Sequence, residues 1–287
     1  MTRPHLRRSI SAHKAKDLPG SDHMWPDVSA RHHRPTTVIG FAAAAGLLLL
    51  AACGSSTPSR SSTSGDVVTV AAAASLAEAF TAIGKDFEAK DPGSKVIFSF
   101  GSSATLASQI TQGAPVDVFA AASPATMKTV TQSRAAGPPT DFVANTLEIA
   151  VPKGNPGKIT GLKDFADKSK KIAICAPQVP CGAAAIKVFA TAKVVPAPDT
   201  LEQDVKATLQ KVESNEVDAA LVYQTDVLAA GDMVAGIDFP EAQQAINVYP
   251  IATLKAAKNP ALAQRFVDYV LSADGQAILN EAGFDKP

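Results

Sequence analysis

Apolar residues follow two alternating spacings along most of this 287-residue chain. Short apolar runs such as 66–70 and 219–223 are typical of buried strands. The first run is followed by Leu76, Phe80 and Ile83, at the spacing of one face of an amphipathic helix. Because strand and helix patterns alternate in this way, the sequence predicts an α/β fold with mostly parallel sheets and right-handed crossovers.

The alternation falls into more than one unit. A first series of strands and helices is followed by a second unit that starts near residue 145, and a last strand is predicted at 248–251. An apolar content of 46% over this length is enough to bury one or two sizeable cores. We therefore expect two lobes.

Two serines lie where a predicted strand passes into a predicted helix. They are Ser75, after the first strand, and Ser103, after the second. Each is by itself a typical helix N-cap, and Ser75-Leu-Ala-Glu78 matches a capping box. The first amides of a helix lack partners and carry partial positive charge, and a capping hydroxyl can still donate its own hydrogen outward. The pair therefore indicates half of a cradle for a small oxyanion.

The N-terminal part of the chain differs from the rest. Residues 1–35 carry scattered charges without a hydrophobic period, and 36–53 is an apolar run that ends in Leu50-Ala-Ala-Cys53. This is the pattern of an export signal, and its end resembles the lipobox of bacterial lipoproteins, which implies cleavage before Cys53 and lipid attachment to its sulfur. A plain signal peptide or a short anchor helix is the alternative.

Two further expectations concern the same region. Met24 is a more conventional start than Met1, so we expect residues 1–23 not to be translated. Residues 54–65 are rich in Ser and Thr, which is typical of a flexible tether. The folded protein is therefore expected to begin near residue 66.

Removal of the signal changes the available chemistry. All five His residues precede Cys53, so the mature chain cannot use a Ser-His-Asp or Cys-His mechanism or a zinc site that needs imidazole. Seven of the 27 basic and three of the 27 acidic residues also precede it, which leaves 20 basic and 24 acidic residues, about −4. Only Arg60, Arg134 and Arg265 remain as arginines. This balance argues against nucleic-acid binding and predicts that an anion is held by neutral donors.

The cysteines give a prediction of their own. Beyond Cys53, only Cys175 and Cys181 remain, six positions apart. Two such thiols outside the cytoplasm tend to pair, so we predict a disulfide between them. A thiol pair that binds a soft metal is the alternative, although two ligands without histidine make an incomplete site.

Two other residues have an ordinary structural interpretation. Asp117, in Val-Asp-Val-Phe, could mimic an acid or metal site but is interpreted as a cap or a hinge partner. Tyr223 follows a buried strand, so by default it is a core ring with its hydroxyl at the edge.

Six motifs occur in a fixed order along the mature chain. They are Ala74-Ser75-Leu76, Phe100-Gly-Ser-Ser103-Ala-Thr-Leu106, Gly113-Ala-Pro-Val-Asp117-Val-Phe119, Val179-Pro-Cys181-Gly182, Asp204-Val205 and Leu221-Val-Tyr223. In this order they resemble the periplasmic molybdate-binding proteins of ABC importers, over residues 67–284. The resemblance implies an α/β type II periplasmic binding protein fold with two lobes, lobe I from 66–143 plus 247–287 and lobe II from 144–246.

The resemblance also implies a set of ligand-binding residues. The oxyanion would be held by the hydroxyls and amides of Ser75 and Ser103, the backbone amides of Cys181 and Val205, and the hydroxyl of Tyr223. Molybdate or tungstate is the implied ligand, bound through its oxygens, with no separate cofactor and no residue that ligates the metal directly. The disulfide to Cys175 would stiffen the loop that presents the Cys181 amide.

The implied function is that of an extracytoplasmic binding lipoprotein rather than an enzyme. It would be a monomer, anchored to the outer face of the cell membrane through Cys53, that captures the oxyanion and delivers it to an ABC permease. The alternatives are a receptor for another small oxyanion such as sulfate, and an extracytoplasmic enzyme or structural lipoprotein with the same fold.

Overall fold

The computed structural model describes residues 66–287. The predicted signal, the lipobox with Cys53 and the predicted tether lie outside the described residues. Within 66–287, no helix is both long enough and apolar enough to cross a membrane.

Ten strands form two five-stranded sheets within the described residues. The strands are β1 Asp66–Ala73, β2 Ser94–Gly101, β3 Val118–Ala120, β4 Thr140–Asn145, β5 Leu147–Pro152, β6 Ile172–Cys175, β7 Thr200–Glu202, β8 Ala219–Tyr223, β9 Val234–Ile237 and β10 Asn247–Thr253. The first sheet has the order β2-β1-β3-β10-β4, and the second has the order β7-β6-β8-β5-β9.

The two sheets have the same pattern of strand directions. In each, three strands pair in parallel, the fourth strand in the order is antiparallel to them, and the last is antiparallel to that fourth strand. Four of the five strands of each sheet therefore point the same way, in agreement with the predicted mostly parallel sheets. The chain passes from the first sheet to the second between β4 and β5, and returns to the first with β10.

Eight α-helices connect and flank these strands in the described region. They are α1 Ala77–Lys90, α2 Ser103–Thr111, α3 Pro124–Gln132, α4 Pro180–Ala192, α5 Val205–Glu213, α6 Gln224–Ala230, α7 Pro260–Leu271 and α8 Ala273–Glu281. Short 3₁₀ turns lie at Ala74–Leu76, Leu162–Ala166, Gly231–Met233 and Pro240–Gln244.

Alternation along the strands divides the core of the first sheet into two layers. Val70 and Val118 face one buried cluster with α1 and α7, whereas their neighbours Ala71 and Phe119 face a second cluster with α2 and α3. Successive strand residues point to opposite faces, so both faces of this sheet are covered by helices. A third cluster surrounds the second sheet.

Two helix starts follow local sequence signals, a capping residue followed by proline. Ser123 accepts a hydrogen bond from the Thr126 amide at 3.3 Å, with Pro124 at the first helical position of α3. Asn259 accepts one from the Leu262 amide at 3.1 Å before α7. These local signals are sufficient because both partners lie within one helical turn.

The capping roles of Ser75 and Ser103 are different from those predicted. Ser75 lies within the 3₁₀ turn before α1, where its Oγ is 2.8 Å from Tyr249 Oη, and no capping box forms with Glu78. Ser103 is the first residue of α2 rather than its N-cap, and its Oγ accepts a hydrogen bond from the Ala122 amide at 2.9 Å. Long-range partners have replaced the local ones in both cases.

Candidate functional site

A cavity lies between the two sheets, at the carboxyl ends of their parallel strands. The starts of α2, α4 and α5 and the 3₁₀ turn after β1 all line it. Ligands of open α/β sheets bind at this edge, because the helix N-termini that follow the strands meet there.

The structure brings all five predicted ligand-binding residues to this one cavity. Ser75 and Ser103 line it from the side of the first sheet, and Cys181, Val205 and Tyr223 line it from the side of the second. The cavity is small, with a volume of about 20 Å³, compared with about 240 Å³ in the neighbouring cleft beside Leu228. Only a small ligand fits such a space.

Hydrogen bonds within the protein use two of the cavity's hydroxyl oxygens as acceptors and leave their hydrogens available for donation. Ser103 Oγ accepts from the Ala122 amide at 2.9 Å, and Tyr223 Oη accepts from Asn247 Nδ2 at 2.8 Å. Because an amide nitrogen can only donate, each hydroxyl keeps its own hydrogen for another partner. Ser75 Oγ contacts Tyr249 Oη at 2.8 Å, and either atom can be the donor.

Burial further disfavours ionisation of the tyrosine hydroxyl at the cavity. Tyr223 is almost fully buried, and this burial raises the pKa of its hydroxyl well above the ordinary value. Burial likewise raises the pKa of Tyr249, its neighbour in the site. Both phenols are therefore neutral at physiological pH and available as hydrogen-bond donors.

The second sheet presents backbone amides from two helix starts. Val205 is the first residue of α5, whose N-cap Asp204 accepts from the Ala207 amide at 2.9 Å. Cys181 is the second residue of α4, after Pro180. Amides in the first turn of a helix have no partner within the helix, so both are available to a ligand.

The charge at the cavity comes from helix ends rather than from basic side chains. No Lys or Arg is among the described residues that line it, and its one charged side chain is the capping carboxylate of Asp204. The convergent helix N-termini supply partial positive charge. Within residues 66–287, no group of three His, Cys, Asp or Glu side chains is arranged to hold a metal ion. The site has the chemistry of an oxyanion receptor.

A disulfide joins Cys175, at the end of β6, to Cys181 in the first turn of α4. Both cysteines are buried, as are Ala176 and Val179 between them, whereas Pro177 and Gln178 are exposed. A Cβ added to Gly182 would lie 1.9 Å from the Ala176 carbonyl oxygen, so only glycine fits there. The bond and this close approach together hold the Cys181 amide in place.

We expect replacement of Cys175 and Cys181 by alanine to lower stability and weaken ligand binding. The unfolding free energy should fall by about 2 kcal/mol, because a short loop is no longer closed in the unfolded chain. The dissociation constant should rise several-fold, because the amide is no longer fixed. Calorimetric titration and thermal unfolding measure the two effects, and a thiol reductant added to the wild type should reproduce both. An unchanged affinity would contradict the proposed role of the bond.

An ion pair between the lobes lies next to the cavity. Lys206, in the first turn of α5, contacts Glu78 Oε1 of α1 at 3.0 Å and Asp226 Oδ1 of α6 at 3.1 Å. Asp226 is fully buried, and this burial raises the pKa of its carboxyl to about 6 although Lys206 opposes the change. Oδ1 makes no well-aligned hydrogen bond, so the contact with Lys206 is chiefly electrostatic. The contact between Lys206 and Glu78 joins α5, beside the second sheet, to α1, beside the first.

Several residues that support the site were not predicted. Asn247 and Tyr249, on β10, hold the hydroxyls of Tyr223 and Ser75, and Asn247 also donates to the Ala122 carbonyl at 2.8 Å. Lys206 follows a predicted site residue, but its partners lie on two other helices. The sequence gives no local signal for such contacts.

Two sheets of one topology, with a small cavity lined by helix N-termini between them, define a two-lobed solute-binding protein of the type II fold. A family described as bacterial extracellular solute-binding protein matches residues 68–285. Over 216 residues the chain is 43% identical to the molybdate-binding protein ModA of Mycobacterium bovis, which covers 75% of this chain and 83% of that protein. The chain therefore belongs to the bacterial extracellular solute-binding proteins and, within them, to the ModA family of molybdate-binding proteins.

Solved structures share the fold. The periplasmic molybdate-binding protein of Azotobacter vinelandii matches with a TM-score of 0.63 and 22% identity, over 77% of this chain and 99% of that one. The sulfate-binding protein SubI of Mycobacterium tuberculosis matches with a TM-score of 0.68 and 16% identity, over 77% and 87% of the two chains. At these identities they show the fold alone. The predicted fold class and the predicted family are thus confirmed.

Proposed function

We propose that this protein captures molybdate, and also tungstate, between its two lobes and delivers it to an ABC importer. The observation that carries the proposal is the donor set of the cavity, with hydroxyls oriented by protein partners and amides at helix starts. Molybdate is fully deprotonated at neutral pH, so it accepts hydrogen bonds from every side. The 43% identity to a molybdate-binding protein supports this ion over sulfate.

The energetics favour neutral donors. Hydrogen bonds to a charged partner contribute about 1.5–3 kcal/mol each, so the donors of five residues are enough for tight binding after the cost of association. A fixed cation would leave an unpaired charge in a nearly closed cavity whenever the ligand is absent, and that is costly. Ser75, Ser103, Cys181, Val205 and Tyr223 are the proposed ligand-binding groups.

The proposed lobes follow the two sheets, with lobe I at 66–143 plus 247–287 and lobe II at 144–246. β4 ends at Asn145, so the first boundary falls just inside this strand, whereas the second coincides with the start of β10 at Asn247. Two proposed donor residues come from lobe I and three from lobe II. A ligand that contacts both lobes favours their closed arrangement, which the importer would recognise.

The remaining parts of the proposal concern location and state. We propose that the protein is a monomer at the outer face of the cell membrane, held there by lipid on Cys53 and the tether 54–65. We also propose that it is not an enzyme, because the chain has no His beyond His33 for acid–base or nucleophilic catalysis at the site.

The test compares three oxyanions with the mature protein, in thermal unfolding and in calorimetric titration. Molybdate or tungstate at about 100 times its dissociation constant should add roughly 2.7 kcal/mol to the unfolding free energy. Sulfate at the same concentration and ionic strength is the control and should add much less. No stabilisation by molybdate or tungstate, or an equal effect of sulfate, would overturn the proposal in favour of another receptor or an enzyme.

A further inference from the structure

Ser102 occupies the N-cap position of α2, but its side chain does not cap the helix. It precedes α2, but its side chain makes no hydrogen bond with the first-turn amides. The residue is 7% exposed, and its Oγ is buried without any hydrogen-bond partner in the protein. Buried hydroxyls in folded proteins are nearly always paired, so an unpaired one needs an explanation.

Other N-caps in the described region use their side chains in the ordinary way. Ser123, Asp204, Asn259 and Ser272 each accept a hydrogen bond from a first-turn amide, at 2.9–3.3 Å. Ser123 is the closest parallel, because it is also a serine that follows a strand of the first sheet. The free hydroxyl of Ser102 is therefore a departure from how this chain starts its helices.

The position of Ser102 explains the departure. Within 66–287, the other buried side-chain atoms without a hydrogen-bond partner are Thr200 Oγ1, on an edge strand, and Asp226 Oδ1, which lies beside Lys206. Of these three residues, only Ser102 lines the cavity between the sheets, next to Ser103. The one buried hydroxyl without a partner at the cavity therefore belongs to a residue that lines the space where an anion would bind.

We propose that Ser102 Oγ donates a hydrogen bond to the bound oxyanion, as a sixth residue beside Ser75, Ser103, Cys181, Val205 and Tyr223. This assignment rests on the proposed function. No protein atom accepts the hydrogen of this hydroxyl, and the oxyanion supplies an acceptor for it. Because Ser102 makes no side-chain hydrogen bond within the protein, its loss should weaken ligand binding without lowering the stability of the free protein.

The test replaces Ser102 by alanine in the full-length protein, with Ser123→Ala as the matched control. For Ser102→Ala we expect the dissociation constant for molybdate to rise about tenfold, while the ligand-free Tm is not lowered. For Ser123→Ala we expect an unchanged dissociation constant and a ligand-free Tm lower by about 2–4 °C, because a working cap is lost. Calorimetric titration and thermal unfolding measure the two quantities.

Each other outcome overturns the assignment. A dissociation constant for Ser102→Ala less than about fivefold above wild type would show that the hydroxyl does not bind the ligand. A weaker affinity together with a lowered ligand-free Tm would show that Ser102 acts by holding the start of α2. If the wild type binds neither molybdate nor tungstate, the proposed function fails as well, whereas equal binding by wild type and variant removes the Ser102 assignment alone.

Discussion

Replacement of Val205 by proline should weaken molybdate binding by roughly 10- to 150-fold without unfolding the protein. The proposal gives the Val205 amide a charge-assisted hydrogen bond to the ligand, and proline has no N–H. The first helical position tolerates proline, because its amide has no partner within the helix. Asp204 before it is extended, with φ −157° and ψ 174°, which a following proline permits.

The matched control for this variant is Val205→Ala, which shortens the same side chain and keeps the amide. Val205 is buried, so the alanine variant should lose about 1–3 kcal/mol of unfolding free energy but bind molybdate as the wild type does. Calorimetric titration at a temperature where both variants are folded measures the difference. Equal loss of affinity in the two variants would show that the amide is not the binding group.

The order of strands and helices made one half of the site predictable. Ser75 and Ser103 follow the carboxyl ends of β1 and β2, and parallel strands bring such ends to one edge. Cys181, Val205 and Tyr223 were predicted only from the family resemblance. The facing arrangement of two such edges was not predictable from spacing alone. It came from the family resemblance, which the comparisons confirm.

The hydrogen bonds of the site were less predictable than its residues. The prediction of a capping box at Ser75 was wrong, because the Ser75 hydroxyl forms a hydrogen bond with Tyr249, 174 positions away, instead. Ser103 likewise pairs with Ala122 rather than with its own helix. Local sequence favours a cap wherever serine precedes a helix, and only the tertiary fold brings a competing partner near.

The strands that the sequence pattern missed have one feature in common. The sequence pattern predicts no strand at β4 or β7 and is ambiguous at β9, and all three lie at the edges of their sheets. An edge strand is partly exposed, so its apolar pattern is weak, as in β7, where none of the three residues is buried. The central strands β1 and β8 are buried along most of their length, and their apolar runs were correctly interpreted.

Replacement of Asp117 by alanine should lower the unfolding free energy by about 2–6 kcal/mol and leave molybdate affinity unchanged. Asp117 is 4% exposed, and its two carboxylate oxygens accept from the backbone amides of Thr69 and Lys258, each at 2.7 Å. These bonds tie β3 to β1 and to the segment before α7. Alanine would leave two amides without their partners, each at a cost of about 1–3 kcal/mol.

Urea denaturation of Asp117→Ala and Asp167→Ala checks this expectation. Asp167 also accepts two hydrogen bonds, but both come from Ser169 in an exposed turn, where water can replace the carboxylate, so its loss should lower the unfolding free energy much less. Asp117 does not line the cavity, so folded molecules of the variant should bind molybdate with the wild-type affinity. A variant as stable as the Asp167 control would mean that water replaces the carboxylate, and a specific loss of affinity would mean that this tie also sets the geometry of the site.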